Sequence, residues 1–241
     1  MIEVRSIRKS FGSLEVLKGI DLDISKGEVV SIVGPSGAGK TTLLQIMGTL
    51  DKPDSGSVRL DGVAMESLDR KEMANFRNRR IGFVFQFHQL LPEFTALENV
   101  MIPAYIGRAS TSEAKARAQE LLDFMGLSGR ASHKPNELSG GEKQRISIAR
   151  AILKDAPIVL LDEATASIDP DNEAYIQQAI NEMVKGKTLV VIAHKLSAVM
   201  GADQILMIED GQISARGTHS QLLESSPAYQ ELWEKQKKRL A

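Results

Sequence analysis

Strands alternating with helices predict an α/β protein on a mainly parallel sheet, and three stretches carry that prediction. Residues 28–33 are a short apolar run that opens into a glycine-rich loop, after which 41–50 take helical spacing. Residues 158–161, 188–193 and 204–208 are strand-sized apolar runs, with helical patterns at 142–153 and 172–184. Residues 111–125 break the alternation, because Glu-Ala-Lys-Ala-Arg-Ala-Gln-Glu-Leu-Leu is dense in strong helix formers.

The remaining elements fit around this frame. Residues 2–7 and 14–24 read as half-buried strands joined by a turn at 11–13, and are expected to form an N-terminal antiparallel β subdomain. Residues 56–62 resemble a hairpin, and 81–85 form another strand. With no internal repeat or low-complexity linker, the chain is expected to be one domain, 1–241. Its core would be 1–86 and 151–241, with an inserted helical subdomain at 87–150.

Composition narrows the function. Thirty Lys and Arg against 31 Asp and Glu produce no overall field for nucleic acid, so no nucleic-acid partner is expected. The dense basic run at 235–239 reads as a solvated helix end. The absence of cysteine excludes disulfides, thiolate nucleophiles and cysteine zinc sites. The first eleven residues lack the apolar centre of a signal peptide, and no apolar stretch is long enough to span a bilayer. The expected location is the cytosol, with any membrane role coming through a partner.

Gly34-Pro35-Ser36-Gly37-Ala38-Gly39-Lys40-Thr41 fits G-x-x-x-x-G-K-[ST] between a strand and a helix. Its glycines let backbone N–H groups turn toward phosphate oxygens, and the following helix adds its positive end. Lys40 is expected on the β- and γ-phosphates of ATP, the Thr41 hydroxyl on Mg²⁺, and Thr42 beside them. A glycine-rich turn that merely ends in Lys-Thr is the bland alternative. Farther on, the apolar strand at 158–161 ends in Asp162 and Glu163, where nucleotides sit in open α/β sheets. Asp162 suits a Mg²⁺ contact, and Glu163 suits a general base for the attacking water. Without the phosphate loop, the same pair would read as a charged strand end.

Ser139 and Glu142 form an S-x-x-E capping box ahead of a helix, which explains those two residues structurally. Gly140 and Gly141 remain unexplained, since glycine in a first helical turn costs about 1 kcal/mol relative to alanine. Both would let an anion approach bare N–H groups. Two phosphate-binding helix starts therefore accompany one catalytic lysine. Either both serve one nucleotide within a chain, or each chain completes its neighbour's site.

In this order the motifs resemble the nucleotide-binding domain of ABC transporters, over nearly the whole chain. Residues 138–142 look like the family signature, Gln86 like its Q-loop, 167–169 with Asp169 like its D-loop, and His194 like its switch histidine. Phe11 lies where the family stacks an aromatic ring on adenine, although it also suits an ordinary core. The resemblance implies a P-loop NTPase core and an ATP-dependent head-to-tail homodimer, in which Ser139, Gly140, Gly141 and Glu142 cap the partner's ATP. It also implies Gln86 on Mg²⁺ and water, and His194 beside the γ-phosphate holding Glu163 in line. A membrane permease would be gripped through the helical subdomain, holding the chain at the cytoplasmic face.

Subfamily signals differ along the chain. Residues 83–92, 95–100 and 133–136 resemble stand-alone ATPases of lipoprotein-releasing and macrolide-efflux systems. Residues 161–169, 193–197, 210–213 and 217–219 resemble exporters with a fused ATPase, and Ala164-Thr165-Ala166 stands where the first group has Pro-Thr-Gly. The expectation is a mosaic, natural or engineered, with its seam near the signature helix; chance drift within one subfamily is the alternative. Its role would be the energy-coupling subunit of a transporter for lipoproteins, lipids or hydrophobic drugs. A soluble ABC ATPase of chromosomes or ribosomes, and an uncoupled or constructed ATPase domain, are the alternatives.

Overall fold

A computed structural model describes residues 1–85, 88–162, 180–181, 184–193 and 199–240. The expected site residues Gln86, Glu163, Asp169 and His194, and most of the expected helix at 172–184, lie outside those residues. The chain divides into two compact units.

The first unit comprises residues 1–73, 160–163 and 188–241. It contains the expected antiparallel sheet, formed by β1 (Ile2–Phe11), β2 (Leu14–Ile24), β4 (Ser55–Leu60) and β5 (Val63–Ala64) in the order β2-β1-β4-β5. Ile2, Val4 and Ile7 are all buried although their spacing changes from two to three. A register shift between Val4 and Ile7 absorbs the extra residue, with Ser6 at φ 49° and its N–H donating to Asp21.

Four strands of the second sheet lie wholly in the same unit. β3 (Val29–Val33) lies between β8 (Thr188–Ile192) and β9 (Gln204–Glu209) and is parallel to both. β10 (Gln212–Gly217) closes the edge antiparallel to β9. Burial on both faces explains why β3 is apolar but for the buried Ser31, rather than alternating. The strand β7 (Ile158–Asp162) enters this unit with its last residues, Leu160 to Asp162, next to β8 in the sheet order. After β3 the chain passes through the glycine-rich loop into α1 (Lys40–Met47). Two terminal helices, α6 (His219–Ser225) and α7 (Pro227–Leu240), bring Leu222 and Tyr229 into one cluster with Val33, Ala193, Ile205 and Met207. Trp233 is buried on α7, as the sequence suggested, with its ring 4.2 Å from that of His219.

The second unit comprises residues 74–159 and 164–187. Among its described elements, α3 (Ala96–Ile106), α4 (Thr111–Phe124) and α5 (Gly140–Lys154) pack against one another, with β6 (Ile81–Val84) against α5. Each of these helices starts at a capping box: Thr95 with Glu98, Ser110 with Glu113, and Ser139 with Glu142. The helix α2 (Arg70–Arg80) runs across the division between units and has no buried residue.

Candidate functional site

The phosphate loop rises from the buried end of β3. Gly34 has φ 144°, and a Cβ there would stand 2.1 Å from the Ile208 carbonyl oxygen of β9. Gly39 has φ 99°, and its Cβ would meet the Val16 carbonyl oxygen at 2.9 Å. Only glycine fits either position, because β9 and β2 press on the loop from within. Pro35, Ser36 and Gly37 form an exposed crest, whereas Ala38, Gly39 and Lys40 are buried.

The α1 helix begins without a side-chain cap and without an acidic residue in its first turn. An uncapped start leaves first-turn N–H groups and the positive end of the helix dipole directed at the loop. Lys40, the first helical residue, folds back so that Nζ donates to the carbonyls of Gly34 at 3.0 Å and Pro35 at 2.7 Å. Its charge is therefore held over the loop. Thr41 is exposed, and Thr42 is half-buried one residue farther along α1.

Thr41 Oγ1 lies 3.4 Å from Asp162 Oδ1, the carboxylate that ends β7. Asp162 is buried. A hydroxyl and a carboxylate brought this close suit Mg²⁺, which takes one or two protein oxygens and completes its shell with phosphate oxygens and water. The residues present fit that ion. Phe11 is not core: it ends β1 with 54% of its surface exposed, and Lys9 Nζ lies 5.3 Å from its ring centre.

The Ser139 turn, in the second unit, has the predicted box. Ser139 Oγ accepts the Glu142 N–H at 3.2 Å, and Glu142 Oε2 accepts the Ser139 N–H at 2.7 Å. The second carboxylate oxygen accepts from Arg130 Nε at 2.8 Å. The Ser139 bond, helped by Arg130, holds the Glu142 carboxyl below its usual range. Gly140 has no left-handed backbone, and outside its own helix turn a Cβ there would meet no atom within 4 Å. Among the described residues nothing demands glycine there.

Sequence reasoning missed three supporting residues: Arg130, Asn99 and Arg150. Asn99 is fully buried and bonds the backbone of 91–95, while Arg150 bonds the carbonyls of His88 and Gln89. Arg130 ends a single 3-10 turn, Ser128–Arg130, too short to show a periodicity that would flag it. A polar residue at a helix's apolar position was the available signal for Asn99.

With this geometry in place, comparison with known proteins decides the family. The model of the family described as ABC transporter matches residues 17–166. The chain belongs to that family. As a member it is an ATP-binding and ATP-hydrolysing cassette. The lipoprotein-releasing system ATP-binding protein LolD of Bacteroides fragilis is 57% identical over 215 residues, covering 88% of this chain and all of that protein. LolD of Porphyromonas gingivalis is 54% identical over 213 residues, covering 88% of this chain and 97% of that protein. The dimeric post-hydrolysis structure of the ATP-binding cassette MJ0796 bound to ADP and Pi superposes with a TM-score of 0.84. It is 38% identical and covers 90% of this chain and 98% of that one.

The expected mosaic receives no support. An alignment with one LolD protein over 88% of this cassette runs through the signature helix into both halves. Among the described residues no helix is long and apolar enough to cross a membrane.

Proposed function

We propose that this cassette is the engine of a transporter that releases lipoproteins or another lipid-bearing cargo from the cell's inner membrane. The observation that carries the ATPase chemistry is the convergence of an uncapped α1, Lys40 and the Thr41–Asp162 pair on one loop. The relatives named for lipoprotein release, matched over essentially their full length, support the choice of cargo.

ATP binds with its phosphates on the backbone N–H groups of the 34–42 loop, and Phe11 offers a ring face to the base. Lys40 balances charge on the β- and γ-phosphates. Thr41 and Asp162 hold Mg²⁺, which when bound neutralises phosphate charge, and Gln86 joins them. Glu163 accepts a proton from the attacking water, while His194 and Asp169 keep water and base in line. Two copies join head to tail, so that Ser139, Gly140, Gly141 and Glu142 of one close over the nucleotide of the other. MJ0796 is described as dimeric in two solved structures, which supports that arrangement.

Residues 87–150 form the helical subdomain that meets the permease. Leu91, Phe94, Tyr105 and Ile106 are large apolar side chains exposed on it, a surface suited to a partner. The cassette is thereby held at the cytoplasmic face through that partner.

Glu163→Gln is expected to slow phosphate release by on the order of 10²- to 10⁴-fold and to accumulate an ATP-bound dimer on gel filtration. Undiminished hydrolysis would remove Glu163 from the role of base. Membrane pull-down with this variant and Mg-ATP should recover a permease. Recovery of none would leave an uncoupled ATPase.

A further inference from the structure

Residues 88–95 lie outside sheet and helix, so their backbone groups need other partners. Two side chains from helices provide them. Arg150 of α5 donates from Nη1 to the Gln89 carbonyl at 2.9 Å and from Nη2 to the His88 carbonyl at 3.0 Å. Asn99 of α3 accepts the Leu91 N–H at 2.8 Å and donates to the carbonyls of Leu91, Phe94 and Thr95 at 3.1, 3.1 and 3.0 Å. Gln89 has φ 47°, uncommon for a residue with a side chain, and its carbonyl is one of those that Arg150 grips.

The arrangement is costly. Burial pushes Arg150 below its ordinary value, and Lys154, one turn farther along α5, is pushed down to about 8 by burial and by the charges of Arg77 and Arg150. A guanidinium placed among cations and bonded to two consecutive carbonyls serves through the geometry of its fork. One end of α5 is therefore fastened to His88 and Gln89, and the other begins at Ser139.

We propose that Arg150 is a positioning residue that fastens the segment starting two residues after Gln86 to the signature helix, so that displacement of the helix is handed to the Gln86 segment. The proposal rests on the ATPase reading of Gln86 and Ser139 given above. Asn99 supports it by fixing the rest of the segment to α3. A loop tie with no mechanical role would affect folding alone. A transmitting tie affects turnover while leaving nucleotide affinity intact, because the phosphate loop belongs to the other compact unit.

The experiment is steady-state hydrolysis by the full chain, with trinitrophenyl-ATP binding and thermal melting in parallel. Arg150→Met should lower kcat about tenfold or more, with KM and analogue affinity within about twofold of wild type. Arg150→Lys, which keeps the charge but not the fork, should fall between. Unchanged kcat in Arg150→Met overturns the proposal, as does a fall of kcat and analogue binding in step with the folded fraction. Should Arg150→Met fail to fold, Asn99→Asp decides: it keeps the acceptor for Leu91 and loses all three donated bonds. The same split is expected from it, and wild-type kcat overturns the proposal. Glu163→Gln runs alongside, and a wild type with no turnover above that variant overturns the ATPase reading and this inference together.

Discussion

Two helices of this cassette start with glycine close by, and they treat their first turns in opposite ways. The α5 helix satisfies its own amides with Ser139 and Glu142, and Arg130 braces the box from outside. The α1 helix has no such cap, and a lysine folded over the loop takes the place of an acidic side chain. The glycines differ in the same sense. Gly34 and Gly39 are demanded by neighbouring backbone, whereas a Cβ at Gly140 would meet nothing within 4 Å among the described residues outside its own helix turn. A glycine demanded by its own fold shapes the protein. One left undemanded is open to the role proposed for Gly140, over a nucleotide held by a second copy.

The largest expected effect breaks the comparison on the α1 side. Lys40→Met removes the charge over the loop and should lower kcat by on the order of 10³-fold, read as phosphate release. Near wild-type turnover would show that the helix start alone handles the phosphates.

Paired alanine substitutions sharpen the contrast. Gly39→Ala should cost about 1–3 kcal/mol in urea unfolding, because the new Cβ meets Val16 in a left-handed backbone. Gly140→Ala should hold or gain stability by up to about 1 kcal/mol, yet lose turnover where two copies must close. A Gly140→Ala enzyme with full activity would end the idea that the α5 start meets a nucleotide.

The smallest effect concerns the box itself. The folded carboxyl of Glu142 is held below its ordinary value, so its contribution is complete above that value and disappears as pH falls through the folded one. Glu142→Gln should therefore be less stable than wild type near pH 7, with the gap closing in acid. A gap independent of pH would assign it to packing.

Several elements escaped the sequence reading for identifiable reasons. The α2 helix is almost entirely polar and buries nothing, so it shows no apolar period. Pro103 inside α3 reads as a breaker, although α3 runs through it. The edge strand β10 is only six residues long and half-buried on one side. By contrast, the phosphate loop, the Ser139 box and the Asp162 strand end were legible, because each joins residue types at fixed spacing within a few positions.

The sequence by itself determined the chemistry-bearing turns and the α/β class, since both depend on local spacing and periodicity. Tertiary structure alone decided that Thr41 and Asp162, 121 positions apart, meet at 3.4 Å. It alone decided which glycines β2 and β9 require, and that Arg150 holds the backbone after Gln86. Contacts between distant segments leave no period in a single chain, because each partner satisfies its own local pattern whether or not the other arrives.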